Sequence, residues 1–196
     1  MRRVASVEAM ESIDAFIHRL PKVELHLHLV GSASVPTVLE LARRHPDGPG
    51  APVPRTAEEL AAFYEFRDFP HFATVYGAVS SLVREPADVA ALVLGAARDL
   101  AGQNVRYAEL TVTPYTLTAA GMPAADLTEA LDIAARSAVA DHGVRIGYII
   151  DFPGHDAERH AWTAEGMTRA IGYVKSWAIR PDVASWVPVP DGDEIE

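Results

Sequence analysis

The stretch "VRIGYIID", residues 144 to 151, is apolar at nearly every position, Arg145 and its last residue apart. A strand with one wet face alternates apolar and polar residues. One that is apolar on both sides belongs to a sheet covered on both faces. Two other segments do alternate with period two: "KVELHLHL", 22 to 29, and "VRYAELTVTP", 105 to 114. In the second, Ala108, Leu110 and Val112 alternate with Tyr107, Glu109, Thr111 and Thr113. Helical spacing fills the intervals between the three. Strand, helix, strand, helix, strand is a βα series, and it predicts a mostly parallel sheet.

The helices have readable ends. Ile13, Phe16, Ile17 and Leu20 repeat at helical spacing within residues 8 to 20, and Pro21 ends that segment. Ser34 caps a helix with Pro36 in its first turn and Val35, Val38, Leu39 and Ala42 on one face. "PDGPGAPVPR", 46 to 55, reads as a surface loop. Thr56 caps "TAEELAAFYEF"; after a break at Pro70, "HFATVYGAVSSLV" gives another helix. Pro86 starts a fourth, with Val89, Leu92, Val93, Ala96 and Leu100 buried, and Gly102 closes it. From Pro123 to Asp141, Leu127, Ala130, Leu131 and Ala134 align. Residues 155 to 196 diverge from this pattern. Met167, Ile171, Val174 and Trp177 have helical spacing, but two prolines interrupt the strand-like segment after them, which suits an edge strand or a disordered end.

The totals narrow the function. The chain has 196 residues, enough for a single domain (1–196) with a sizeable core, and 49% hydrophobic against 22% charged residues is a globular balance. A formal net charge of -10 argues against nucleic acid or an anionic membrane as partner, because no basic stripe is available to offset phosphates. With no cysteine, a transition metal would have to use His, Asp or Glu. "MRRVASVEAM" lacks the apolar core of a secretory signal and no window approaches a membrane span, so a cytoplasmic location is expected.

His26 and His28 stand at i and i+2 of the first strand, so their side chains share a face. Gly31 follows, which puts the pair at the strand's C-terminal end, where parallel barrels carry their chemistry. Two neutral imidazoles there can be ligands of one Zn2+, while Leu25, Leu27 and Leu29 would face the helices. The alternative is the wet face of an ordinary strand.

"LPKVELHLHLVGSAS" resembles the first strand of the adenosine deaminase family, whose members are metal-dependent hydrolases built as (β/α)8 barrels. The resemblance runs from about Leu20 to Gly154 and takes in "FYEFRDF", "VRYAELTVTP" and "IIDFPG". It implies a partial (β/α)8 barrel of three or four βα units, with His26 and His28 as zinc ligands. His28 would also lie against the substrate, and Phe63 and Tyr64 would form a flap over a purine, although a helix core explains those aromatics equally well. Glu109 would point into the barrel or into solvent. The implied reaction is hydrolytic deamination at C6 of a small-molecule 6-aminopurine nucleoside: an activated water attacks, and a carboxylic acid protonates the ring nitrogen as ammonia leaves.

Two departures qualify the match. Where many adenosine deaminases have an acidic residue that meets the sugar, this chain has Val30, and "HLVGSAS" is also similar to the branch that deaminates 6-aminodeoxyfutalosine. A full barrel takes about 250 residues. In the family, a third zinc histidine and the general acid/base glutamate follow the fifth strand in a His-Ala-Gly-Glu motif that this sequence lacks. "HDAE", 155 to 158, has the same first and last residues directly after the third strand. "DGDE", 191 to 194, echoes a stretch whose glycine meets the purine, so Gly192 is a candidate pocket residue. The expectation is a chain inactive by itself, with open sheet edges that favour self-association. Two other readings remain: a non-catalytic fragment or pseudoenzyme that needs a partner chain, and a metal phosphoesterase that also opens on HxH.

Overall fold

The computed structural model describes residues 12–46 and 53–151. Three parallel strands form one sheet in the order β1-β2-β3, with β1 at Lys22–His28, β2 at Val105–Val112 and β3 at Arg145–Ile150. The helices are α1 (Ile13–Arg19), α2 (Val35–Arg44), α3 (Ala57–Phe63), α4 (Phe69–Ser80), α5 (Pro86–Gly102), α6 (Pro114–Ala119) and α7 (Ala124–His142). This is the opening portion of a (β/α)8 barrel.

Local chemistry sets most helix boundaries. The Thr56 hydroxyl accepts from the Glu59 N–H at 3.3 Å, and the Asp68 carboxylate accepts from the His71 N–H at 2.8 Å. Pro70 therefore does not break α4. It occupies the first turn, where the N–H it lacks would have had no partner, and α4 starts at Phe69 rather than after the proline. Helix α3 stops at Phe63, short of the full "TAEELAAFYEF" stretch. Gly143, at φ 68°, adopts the left-handed turn that closes α7. Helix α6 was not legible, because "PYTLTA" is too short to show a period.

On one face of the sheet, Ala108, Leu110, Val112 and Ile146 are buried, with Leu29 beside them. Helices α5 and α7 pack over this face and against each other, and α2 packs on α5. Val89, Leu92, Val93 and Leu100 of α5 and Leu127, Leu131 and Ala134 of α7 meet the sheet in one core. Gly95 permits the close approach of α2: a Cβ there would lie 2.3 Å from the Thr37 hydroxyl oxygen. At the N-terminal end of the sheet, Lys22 Nζ donates to the carbonyls of His18, Leu20 and Gln103 at 3.2, 3.0 and 2.9 Å. One ammonium thus ties the ends of α1 and α5 together, a use of cations at helix C-termini.

The other face is open among the described residues. In register, Val23 lies beside Tyr107, His28 beside Thr111, Glu109 beside Gly147, and Thr111 beside Ile149. Val23 and Ile149 are 62% and 41% exposed. The double-sided cover expected from "VRIGYIID" is therefore found on one side only. Its second side is the surface that a closed barrel would turn inward.

Two expectations are corrected. Leu25 does not face the helices: it is 55% exposed. The register slips between Glu24 and Leu27, so two β1 residues oppose Glu109 alone, and this bulge turns Leu25 off the covered face. The apolar residues of α1 have no cover among the described residues either. Ile13, Phe16, Ile17 and Leu20 are all exposed, and α1 buries no side chain. The calls on "HDAE", "DGDE" and Gly192 lie outside the described residues.

Candidate metal centre

His26 and His28 both lie on the open face, at the C-terminal end of β1. The bulge absorbs one residue, and the strand resumes so that Leu27 pairs with Leu110 on the covered face and His28 with Thr111 on the open one. Their ring centroids are 5.4 Å apart with 37° between the planes. Two imidazoles on one tetrahedral Zn2+, each bound at roughly 2.0–2.1 Å, have centroids about 5 Å apart. The pair fits a shared ion. Among the described residues, no third His, Asp or Glu joins it within ligand range.

Glu109 projects from β2 onto the same face, across from the bulge. Tyr107 Oη donates to Glu109 Oε1 at 2.9 Å. Gly147 leaves the room for this: a Cβ there would lie 2.7 Å from the tyrosine oxygen. Burial first, and then the carboxylate, raises the Tyr107 phenol above its ordinary pKa, so it stays a donor.

The rim past β1 turns at Gly31, where an added Cβ would meet His28 Cβ at 3.4 Å and a ring carbon of Tyr76 at 3.7 Å. A small cleft of about 20 Å³ opens beside it, lined by Leu29, Val30, Tyr76, Thr111, Thr113 and Leu117 among others. Asp151, just past β3, is held by its N–H to the Val112 carbonyl at 2.8 Å. Its Oδ2 accepts from Thr113 Oγ1 at 3.1 Å. Burial and then the Asp151 charge push the Tyr76 phenol upward, and a hydrogen bond with Ser80 partly offsets them. None of Tyr76, Thr113 or Asp151 was singled out as a site residue. Thr113 and Asp151 are unremarkable polar residues just past strand ends until β2 and β3 pair, and Tyr76 lies within α4.

Phe63 and Tyr64 are half-buried against the core, their rings 6.4 Å apart. They begin an aromatic path that runs through Phe66 and Phe72 to Tyr76, with successive centroids 5.2 to 6.1 Å apart. Phe63 and Tyr64 thus pack on the core, and the path they start ends at Tyr76.

His45, Glu85 and Asp88 form a second polar cluster, with donor atoms within 4.8 Å of one another. Asp88 is fully buried; its Oδ2 accepts from the N–H groups of Arg84 and Glu85 at 3.0 Å each and lies 2.7 Å from His45 Nε2. Arg44 Nη1 lies 3.5 Å from its Oδ1. The arginine already supplies the counter-charge, so Asp88 acts as a clasp between the end of α2 and the start of α5.

A model of the adenosine deaminase family matches residues 21–173. That is most of the chain. The chain belongs to the adenosine deaminase family. An aminodeoxyfutalosine deaminase of Streptomyces avermitilis is 44% identical over 153 residues, covering 78% of this chain and 42% of the relative. An adenine deaminase of Geotalea uraniireducens is 32% identical over 154 residues, covering 79% and 42%. Among solved structures, a Zn-bound amidohydrolase from Burkhoderia ambifaria superposes with a TM-score of 0.63 at 26% identity, over 89% of this chain and 54% of that one. The chain thus spans less than half the length of these curated relatives.

Proposed function

We propose that this chain carries one half of the zinc site of an aminopurine deaminase, with His26 and His28 as its two ligands. The observation that supports this most is the shared open face of the pair, at a spacing suited to one ion, in a member of this family. Bound Zn2+ supplies a water acidified towards neutral pH as the nucleophile. The chain's own part is to hold the ion through two neutral imidazoles, to flank the purine with Phe63 and Tyr64, and to keep His28 against the substrate. The third histidine and the acid/base glutamate of the family motif have no counterpart in this sequence. Loss of a general acid/base alone costs about 10²–10⁴-fold. The isolated chain is therefore an inactive, cytoplasmic half-site that associates through its open sheet edge, with itself or a partner chain. Among substrates, 6-aminodeoxyfutalosine is the first choice, because 44% identity to a deaminase of that name exceeds the 32% to an adenine deaminase.

The test pairs metal binding with turnover. The metal-depleted chain and its His26→Ala/His28→Ala variant are titrated with Zn2+ against a fluorescent chelator, and loss of 6-aminopurine absorbance is followed with 6-aminodeoxyfutalosine and adenosine. The expected result is zinc uptake that the double variant loses, without turnover. Equal uptake by the variant would overturn the ligand assignment. Turnover by the chain alone would overturn the half-site, and hydrolysis of a phosphomonoester would bring back the phosphoesterase reading.

A further inference from the structure

An imidazole pair needs more than an ion to hold its direction. A histidine that gives one ring nitrogen to a metal carries a proton on the other. An acceptor for that N–H fixes the tautomer, aims the ring and raises its basicity. The three strands carry two acids, Glu24 and Glu109. Glu24 Oε1 accepts from the backbone N–H of His26 at 3.3 Å, and Glu24 is in register with the buried Ala108. Glu109 stands on the face that carries the histidines, where the bulge sets Leu25 and His26 against it. Adjacent strands lie about 4.8 Å apart, so a glutamate can reach the imidazole across from it. One of its oxygens is fixed: Tyr107 Oη donates to Oε1 at 2.9 Å, in the space that Gly147 leaves. Among the described residues, the other oxygen takes no donor, and Glu109 and His26 stand abreast and unbonded. With one nitrogen of His26 given to zinc, the other becomes a donor, and Glu109 is the acid on its face.

Building on the zinc-ligand reading, we propose that Glu109, braced by Tyr107, is a positioning residue of the metal centre: its free oxygen accepts from the non-ligating ring N–H of His26 and aims that imidazole at the ion. The carboxylate also sets a negative charge beside a dication that two neutral imidazoles leave uncompensated. Gly147 has a part in this, because a side chain there would displace the Tyr107 hydroxyl and release the carboxylate.

Zinc titration and histidine NMR of the full 196-residue chain, metal-depleted and isotope-labelled at histidine, test this together. Glu109→Ala is expected to weaken zinc binding about 10–100-fold, the usual cost of removing such an acceptor. Tyr107→Phe should cost about fivefold, the scale of one neutral hydrogen bond. In the zinc-loaded parent the His26 ring N–H should be hydrogen-bonded and slow to exchange. In Glu109→Gln, which keeps the side-chain shape, that signal should move upfield, a change that a merely structural role of Glu109 would not produce. Circular dichroism checks that each variant folds, and the His26 signal of the parent and of Glu109→Gln decides the matter if Glu109→Ala does not. Unchanged zinc affinity in a folded Glu109→Ala, or a His26 signal indifferent to Glu109→Gln, would overturn the proposal and leave the ligand assignment standing. Equal zinc uptake by His26→Ala/His28→Ala would overturn the ligand assignment, and this proposal with it.

Discussion

The two faces of the same three strands have opposite fates. On one, Ala108, Leu110 and Val112 are sealed under α5 and α7. On the other, His26 and His28 stand exposed with Val23 and Ile149, Glu109 is half-buried beside them, and Thr111 is buried. The difference teaches where stability and chemistry reside. The covered face supplies the apolar burial that holds the strands in register. The open one carries polar side chains and has less apolar burial to lose.

The largest effect should come from breaking the covered face. Leu110 is fully buried, and Leu110→Ala should cost about 2–5 kcal/mol, read as a lower denaturant midpoint at unchanged slope. Next is the clasp behind that face. Asp88→Ala removes the acceptor that joins His45, Arg44 and two backbone N–H groups, and should cost about 1.5–3 kcal/mol. An Asp88→Ala protein as stable as the parent would show that α2 and α5 are held by their apolar contacts alone.

This contrast also explains what could be read from the sequence. The covered face was legible because burial writes a period: every second residue of β2, and the i, i+3, i+4 positions of α5 and α7, had to be apolar. The histidine pair was legible because two imidazoles at i and i+2 need no tertiary information to share a face. Leu25 was misread because a bulge shifts register without changing composition. Asp88 was missed because a single buried acid inside a helix pattern gives no sign of the histidine 43 residues earlier that meets it. Thr113 and Asp151 were missed for a related reason. Their bond spans 38 residues and exists only once β2 and β3 pair.

A smaller effect distinguishes the faces by pH. Tyr148 donates to the Leu131 carbonyl at 2.8 Å, and burial, with the Asp132 charge second, pushes its phenol far above the ordinary 10.0. The folded protein therefore resists ionising a group that the unfolded chain ionises near pH 10. That contribution is fully present below pH 10 and is lost as pH rises beyond it. Tyr148→Phe should cost about 1 kcal/mol at neutral pH and flatten the alkaline loss. Tyr107, on the open face, should show a weaker form of this behaviour. An unchanged alkaline limb in Tyr148→Phe would place the titrating group elsewhere.

The smallest effect is the most informative about the open face. Ile149 stands in register with Thr111 but is 41% exposed, so Ile149→Ser should change stability by no more than about 0.5 kcal/mol. The same substitution on the covered face would create a cavity; here it only exchanges one wetted side chain for another. If a second copy or a partner chain seats on this surface, the outcome changes in a way that can be measured. The loss would then exceed that figure and would grow with protein concentration, because burial that depends on association responds to mass action. Denaturation of Ile149→Ser and the parent at two concentrations a hundredfold apart separates the cases. A concentration-independent null result fits a face left open. A loss that deepens with concentration means that the histidine-bearing surface is completed by another chain.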